Sequence, residues 1–192
     1  MNNQNLIYDI KDITTESTIP DEPVTLQEMK DYMRLEGFTD TDESTTESLS
    51  DFAFDDTLIT RMIKAARKKV EDYCGVSIVF HTWKVLLKNE AGDIELPYGP
   101  VQEFTSLAYS DGTAVGAASI DTIGFDFMML ESPMCDKMTA IYDAGYEECP
   151  EELRLAIMQM VYYWYENRVI GGIPPVAKQT MSPYKRPWTW LS

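Results

Sequence analysis

The sequence predicts a mainly α-helical chain with a small antiparallel β insertion, an α+β fold whose helical-bundle core is flanked by extended N- and C-terminal arms. Three observations lead there. Three stretches repeat apolar residues at the helical spacing, the region between the second and third changes to a period of two, and both ends lose any sustained period. The resulting divisions are an arm over 1–22, a folded domain over 23–168 and a tail over 169–192.

The first arm is polar apart from Leu6, Ile7, Tyr8 and Ile10. Those four could add a short strand or hook onto a neighbour, but a frayed terminus is the favoured reading. Thr25 and Glu28 then form a capping box, in which each side chain accepts a backbone N–H of the other residue. A helix follows over about 26–35, with Leu26, Met29 and Met33 inward, Tyr32 a further inward candidate, and Gly37 as its stop. Residues 38–55 are rich in Ser, Thr and acid and read as a solvated loop. Asp40, Asp42 and Glu43 within it lack the D-x-D-x-D-G spacing of a calcium loop, which disfavours a metal site.

Asp55 or Asp56 caps a second helix over about 57–73, whose stripe is Leu58, Ile59, Met62, Ile63, Ala66, Val70 and Tyr73. Its opposite face carries Arg61, Lys64, Arg67, Lys68 and Lys69. Two readings stand for that face: a solvated surface partly paired with Glu71 and Asp72, or a contact for an acidic face of a neighbouring copy.

A β-module occupies about 77–143. Val79, His81, Trp83, Val85 and Leu87 alternate along a strand over 77–88. Shorter strands are expected at 94–97, 103–109, 117–123, 125–130 and 138–142, with a hairpin turn at Ser110-Asp111-Gly112-Thr113. His81 is the one histidine in the chain, and a hydrogen-bonded structural role outweighs catalysis for it.

The organising helix is predicted over 151–168. Pro150 opens it, two carboxylates lie near the positive end of its dipole, and Arg168 closes it. Leu153, Ile157, Met160, Val161 and Trp164 form its core stripe. Tyr162, Tyr163, Trp164 and Tyr165 are consecutive and therefore point to every side. That predicts cover from more than one direction. Another subunit is the favoured cover, with surface wetting of the tyrosine hydroxyls as the alternative. On this reading Ile157, Val161, Trp164 and Tyr165, together with Arg61, Lys64 and Lys68, are candidate contacts between subunits.

Pro174, Pro175, Pro183 and Pro187 predict an extended path for the tail. Tyr184, Trp188 and Trp190 alternate there with Lys185 and Arg186, and two tryptophans gain nothing from remaining in water. They are expected to dock on a partner or back on their own domain, the partner being favoured.

Several function classes are disfavoured. The formal net charge of −16 opposes wrapping nucleic acid, and residues 1–60 alone hold fifteen acids against three basic residues. No apolar run approaches the ~18 residues of a membrane span, and the start of the chain lacks a signal-peptide layout, so a cytoplasmic site of synthesis and no membrane partner are expected. Cys74, Cys135 and Cys149 are odd in number and far apart, which disfavours a disulfide framework or a Cys/His zinc site. A Gly-rich phosphate loop, a G-x-S-x-G elbow and H-E-x-x-H are all missing, so no enzyme activity, metal or cofactor is expected.

The order of motifs resembles the head-tail connector family of tailed bacteriophages, also termed head completion or portal adaptor proteins. The pieces that carry the resemblance are PVTLQEMKDYMRLEG, DDTLITRMIKAARKKVEDYCGVSI, HTWKVLL, IELPYGPVQEFTSLAYSDG, YDAGYEECPEELRLAIMQMVYYWYENR and MSPYKRPW, over about residues 23–188. The resemblance implies a non-enzymatic virion neck protein assembled in the host cytoplasm. It would form a ring, twelve-fold in the family, that joins the portal protein to an adjacent neck or tail protein. Double-stranded DNA would pass through its lumen without specific binding. Portal docking maps onto Tyr184, Lys185, Arg186, Trp188 and Trp190. The arm 1–22 and the acidic loop 38–55 depart from the family pattern. Alternatives are a tail-completion or stopper protein of the neck, and an acidic regulator that mimics DNA.

Overall fold

The structure, a computed structural model, describes residues 6–14, 22–33, 49–89, 93–115, 121–123, 129–131 and 134–186. The chain divides into two compact units: residues 1–21, 75–148 and 185–192 form one, and residues 22–74 and 149–184 the other.

The first unit is the β-module. Strands β1 (Leu6–Asp12), β2 (His81–Asn89), β7 (Cys135–Ala144) and β4 (Val101–Tyr109) make an antiparallel sheet in the order β1-β2-β7-β4. A smaller antiparallel sheet has the order β3-β6-β5, from Asp93–Glu95, Met129–Glu131 and Asp121–Ile123. The expected alternation holds: Trp83, Val85 and Leu87 of β2 face Met138, Ala140, Tyr142 and Ala144 of β7 in one buried cluster. Trp83 stacks on Tyr98 at 4.4 Å, and its indole N–H donates to the Ser77 hydroxyl at 3.2 Å. The Tyr142 hydroxyl donates to the Pro97 carbonyl, and burial pushes its pKa well up, which keeps it a donor.

The N-terminal arm differs from the favoured sequence reading: residues 6–12 form an edge strand rather than a frayed end. Ile7 and Ile10, three residues apart, do not fit a period of two. A register shift between Ile7 and Asp9 resolves the conflict, because the extra residue lets both isoleucines pack on the core and leaves Tyr8 exposed. The hairpin turn forms where predicted. Gly112 has φ +86°, its N–H donates to the Tyr109 carbonyl at 2.9 Å, and Asp111 accepts the Thr113 N–H at 2.8 Å. The N-terminal parts of the expected strands at 117–123 and 125–130 lie outside the described residues.

The second unit is helical: α1 (Leu26–Met33), α2 (Leu49–Cys74), α3 (Glu151–Asn167), α4 (Pro175–Met181) and a 3-10 turn at Ser182–Tyr184. The capping box forms as read, with Thr25 N–H donating to Glu28 at 2.8 Å and Glu28 N–H donating to the Thr25 hydroxyl at 3.2 Å. The second helix begins well before residue 57, inside the stretch read as an acidic loop. In the sequence Leu49 and Phe52 keep the spacing of Ile59, Met62 and Ile63, so helical periodicity extends backward through the acids. The rest of that loop, 38–48, is outside the described residues.

The tail also differs from the extended path. Pro175 opens α4 with Pro174 as the preceding cap. Proline is compatible with a first helical position because that N–H has no intrahelical partner anyway. The residues between Pro175 and Pro183 then continue the helix and bury Ala177 and Met181.

Gly145 is a backbone constraint of the first unit. Its φ is +154°, and a Cβ there would lie 2.7 Å from the Val79 carbonyl oxygen and 2.8 Å from the Phe80 backbone. Gly145→Ala is therefore expected to lower stability by about 1–3 kcal/mol, read as a depressed melting temperature by circular dichroism. An unchanged melt would show that this close approach relaxes without cost.

Candidate interaction surfaces

Helix α3 organises the second unit. Leu153, Ala156, Ile157, Met160, Val161 and Trp164 are buried, against the inward stripe of α2 formed by Ile59, Met62, Ile63, Ala66 and Val70. Helices α1 and α4 pack on its flanks, which widens the buried arc. This corrects the placement of three candidate subunit contacts. Ile157, Val161 and Trp164 are 0%, 0% and 1% exposed, so they belong to the protein's own core. The Trp164 indole donates to the Gly172 carbonyl at 2.7 Å, tying the segment after α3 back to it. Tyr165 is half-buried beneath the Arg168 guanidinium, 5.1 Å from its ring centre.

The exposed residues of α3 are Glu151, Glu152, Leu155, Tyr162, Tyr163, Glu166 and Asn167. Tyr162 meets Tyr32 of α1 edge to face, with ring centres 6.2 Å apart. Arg154 holds α3 to the start of α1: it donates to the Pro23 carbonyl at 3.0 Å and to Glu151 at 2.7 Å, and it pairs with Glu28. The Thr25 backbone N–H holds the Glu28 carboxyl below its ordinary pKa against the opposing effect of burial, with the Thr25 hydroxyl and Arg154 adding to the lowering.

Arg61, Lys64 and Lys68 are exposed on α2, as read from the sequence. Lys68 pairs with Asp72 at 3.3 Å, while Arg67 turns aside to a half-buried site. Its guanidinium meets Glu22 at 2.8 Å and Glu71 at 2.9 Å. Burial alone would lower the Arg67 pKa, and these two carboxylates raise it above the ordinary value.

In the tail, the Tyr184 hydroxyl donates to Glu152 at 2.9 Å. Lys185 is exposed, and Arg186 is 6% exposed in the first unit, where it donates to the Leu96 carbonyl at 3.0 Å and pairs with Glu95. Burial lowers the Arg186 pKa and Glu95 opposes that shift. Arg186 is thus bonded within its own unit. Trp188 and Trp190 lie outside the described residues.

One cleft of about 440 Å³ lies in the first unit, lined by Thr14, Phe80, His81, Thr82, Gln102, Glu103 and Asp143. Its polar groups bond mainly to one another. His81 Nδ1 lies 2.9 Å from Asp12, Thr82 donates to Asp143 at 2.6 Å, and Thr82 N–H donates to Thr14 at 3.0 Å. These bonds fasten the end of β1, a structural use of the histidine that matches the sequence reading. Asp12 was the residue missed: a lone carboxylate sixty-nine positions from its partner leaves no local signal. Burial pushes the Cys149 thiol up to about 12, which favours its protonated form. Among the described residues no three of His, Cys, Asp and Glu are placed to hold a metal ion.

Among the described residues, the basic face of α2 and the aromatic face of α3 are the exposed surfaces that the sequence singles out. A family model described as "Head completion protein" matches residues 24–172. Three solved structures share the fold. They are a chain of the virion of a native gene transfer agent (GTA) particle, and chains of the neck of an empty GTA particle computed with C6 symmetry and of a native one computed with C12 symmetry. Their TM-scores are 0.69, 0.70 and 0.68 at 20%, 17% and 14% identity; the matches cover 95%, 96% and 96% of this chain and 98%, 99% and 99% of those. No curated protein matches by sequence. With most of its length matched by the family model, the chain belongs to the head completion protein family, whose members are structural and not catalytic.

Two outcomes check this placement. Trp164→Ala should cost about 3–5 kcal/mol of unfolding free energy in denaturant, whereas Tyr162→Ala should stay within about 1 kcal/mol of the parent. Equal losses would mean that the core and the exposed face have been exchanged. The second outcome concerns pH. Burial raises the Asp12 pKa, but bonds from Thr14 and the charge of His81 outweigh it, so the folded value lies below the ordinary 3.8. A depressed carboxyl stabilises above the unfolded pKa and loses that contribution as pH falls through the folded value. Asp12→Asn should therefore destabilise at pH 7 and approach the parent below about pH 4. A deficit independent of pH would refute this linkage.

Proposed function

We propose that this protein is a structural component of the virion neck, forming an oligomeric ring that joins the portal to the tail and surrounds the passage of double-stranded DNA. The observation that carries this reading is the family match over residues 24–172, supported by a fold shared almost end to end with chains of GTA particle necks. The mechanism is geometric. Rigid helix packing in the second unit presents fixed faces for neighbouring copies, and the residues beyond Arg186 supply affinity for the portal. The net charge of −16 suits a ring that lets DNA slide, since acids at a lumen repel phosphate.

The self-docked Arg186 moves the expected clasp to the last six residues, which include Trp188 and Trp190. Co-sedimentation with portal-bearing, DNA-packed capsids tests this, using the full chain beside a copy ending at Arg186. The full chain should bind and the shortened copy should not. Binding by both would place the clasp elsewhere, and binding by neither would overturn the portal reading.

A further inference from the structure

We infer that the basic face of α2 in one copy docks on the outer face of α3 in the next, and that this pairing closes the ring. The inference rests on the proposed ring and names the two surfaces that would make it. Along α2, Arg61, Lys64 and Lys68 lie opposite the buried stripe of Ile59, Met62, Ala66 and Val70 at about 100° per residue. Along α3, Leu155, Tyr162 and Glu166 lie opposite Leu153, Ile157, Met160 and Trp164 in the same way.

Because the two buried stripes pack on each other, the two outer faces point in opposite directions. That is the geometry of a heterologous, head-to-tail contact, which repeats around an axis and closes when the rotation allows. A single patch meeting itself would instead stop at a dimer.

The chemistry of the faces is complementary. The α2 face offers three cations within about 10 Å of helix, and among the described residues Arg61 and Lys64 make no ion pair. The α3 face places Glu166 at one end, and at the other Glu151 and Glu152, which Arg154 and Tyr184 already engage, with Leu155 and Tyr162 between them. Glu166 likewise makes no ion pair among the described residues, and Tyr162 offers a ring face or edge to a cation. In a chain this acidic, copies repel one another over most of their surface. The α2 stripe is where a neighbour's carboxylates gain by approaching, so charge selects the register. Duplex DNA is the competing occupant for a basic face. Copies of this chain are favoured because the α3 face adds apolar and aromatic area that phosphate would not use.

The test uses full-length chains bound to portal-bearing capsids. Lys64→Cys and Glu166→Cys are combined in one chain and joined with a short bismaleimide, beside each single variant and the parent, whose Cys135 and Cys149 are partly buried. Only the double variant should yield a ladder of cross-linked multimers on a denaturing gel. Normal capsid binding without a ladder overturns the face pairing and leaves the neck reading intact. A parent that fails to sediment with capsids overturns both.

Charge exchange is the second arm. Lys64→Glu and Glu166→Lys should each reduce capsid-bound protein roughly three- to ten-fold, and combining them should restore it. A combination no better than either single variant refutes the pairing. So does a Lys64→Glu chain that assembles normally but alters genome ejection, which would assign the basic face to DNA.

Discussion

The burial of one face of α3 against α2 is the constraint on which the second unit depends. Leu153, Ile157, Met160, Val161 and Trp164 leave water together with Ile59, Met62, Ile63, Ala66 and Val70. Each such side chain contributes about 1.5–3 kcal/mol on burial, which in sum far exceeds what the surface ion pairs can supply. Everything else in the unit is arranged around that contact. Helix α1 is held to α3 by Arg154 and by the Tyr32–Tyr162 edge, α4 buries Ala177 and Met181, and Trp164 captures the Gly172 carbonyl.

Arginine does a distinct job from lysine here. Arg67, Arg154 and Arg186 are each drawn into internal bonds with carboxylates or backbone carbonyls, joining segments far apart in sequence. The planar, weakly hydrated guanidinium suits such half-buried bridges, whereas an ammonium prefers to stay wet. Lys64 and Lys68 accordingly remain outside, as does Arg61. The basic stripe on α2 is thus what stays exposed once the internal bridges have been made.

The β-module is built on different physics. Its core is a period-two lattice of β2 and β7 side chains, and its polar edge is closed by Asp12, Thr14, His81, Thr82 and Asp143 bonding among themselves. Arg186 is buried in this module against Leu96 and Glu95.

The sequence by itself determined the helical stripes, the Thr25–Glu28 capping box, the hairpin at Asp111-Gly112 and the strand alternation from Trp83 to Leu87. These features depend on neighbours within a turn or a pleat, where spacing and chemistry are written side by side. The motif order that resembles the head completion family was legible for the same reason. Tertiary structure alone decided which aromatic positions of α3 are core and which are surface, since four consecutive aromatics look alike until α2, α1 and α4 take their sides. It also decided that Leu6–Asp12 joins a sheet, that Asp12 meets His81, and that Arg186 turns inward. Each of those rests on a partner tens of residues away, and local periodicity carries no record of a contact that only chain folding creates.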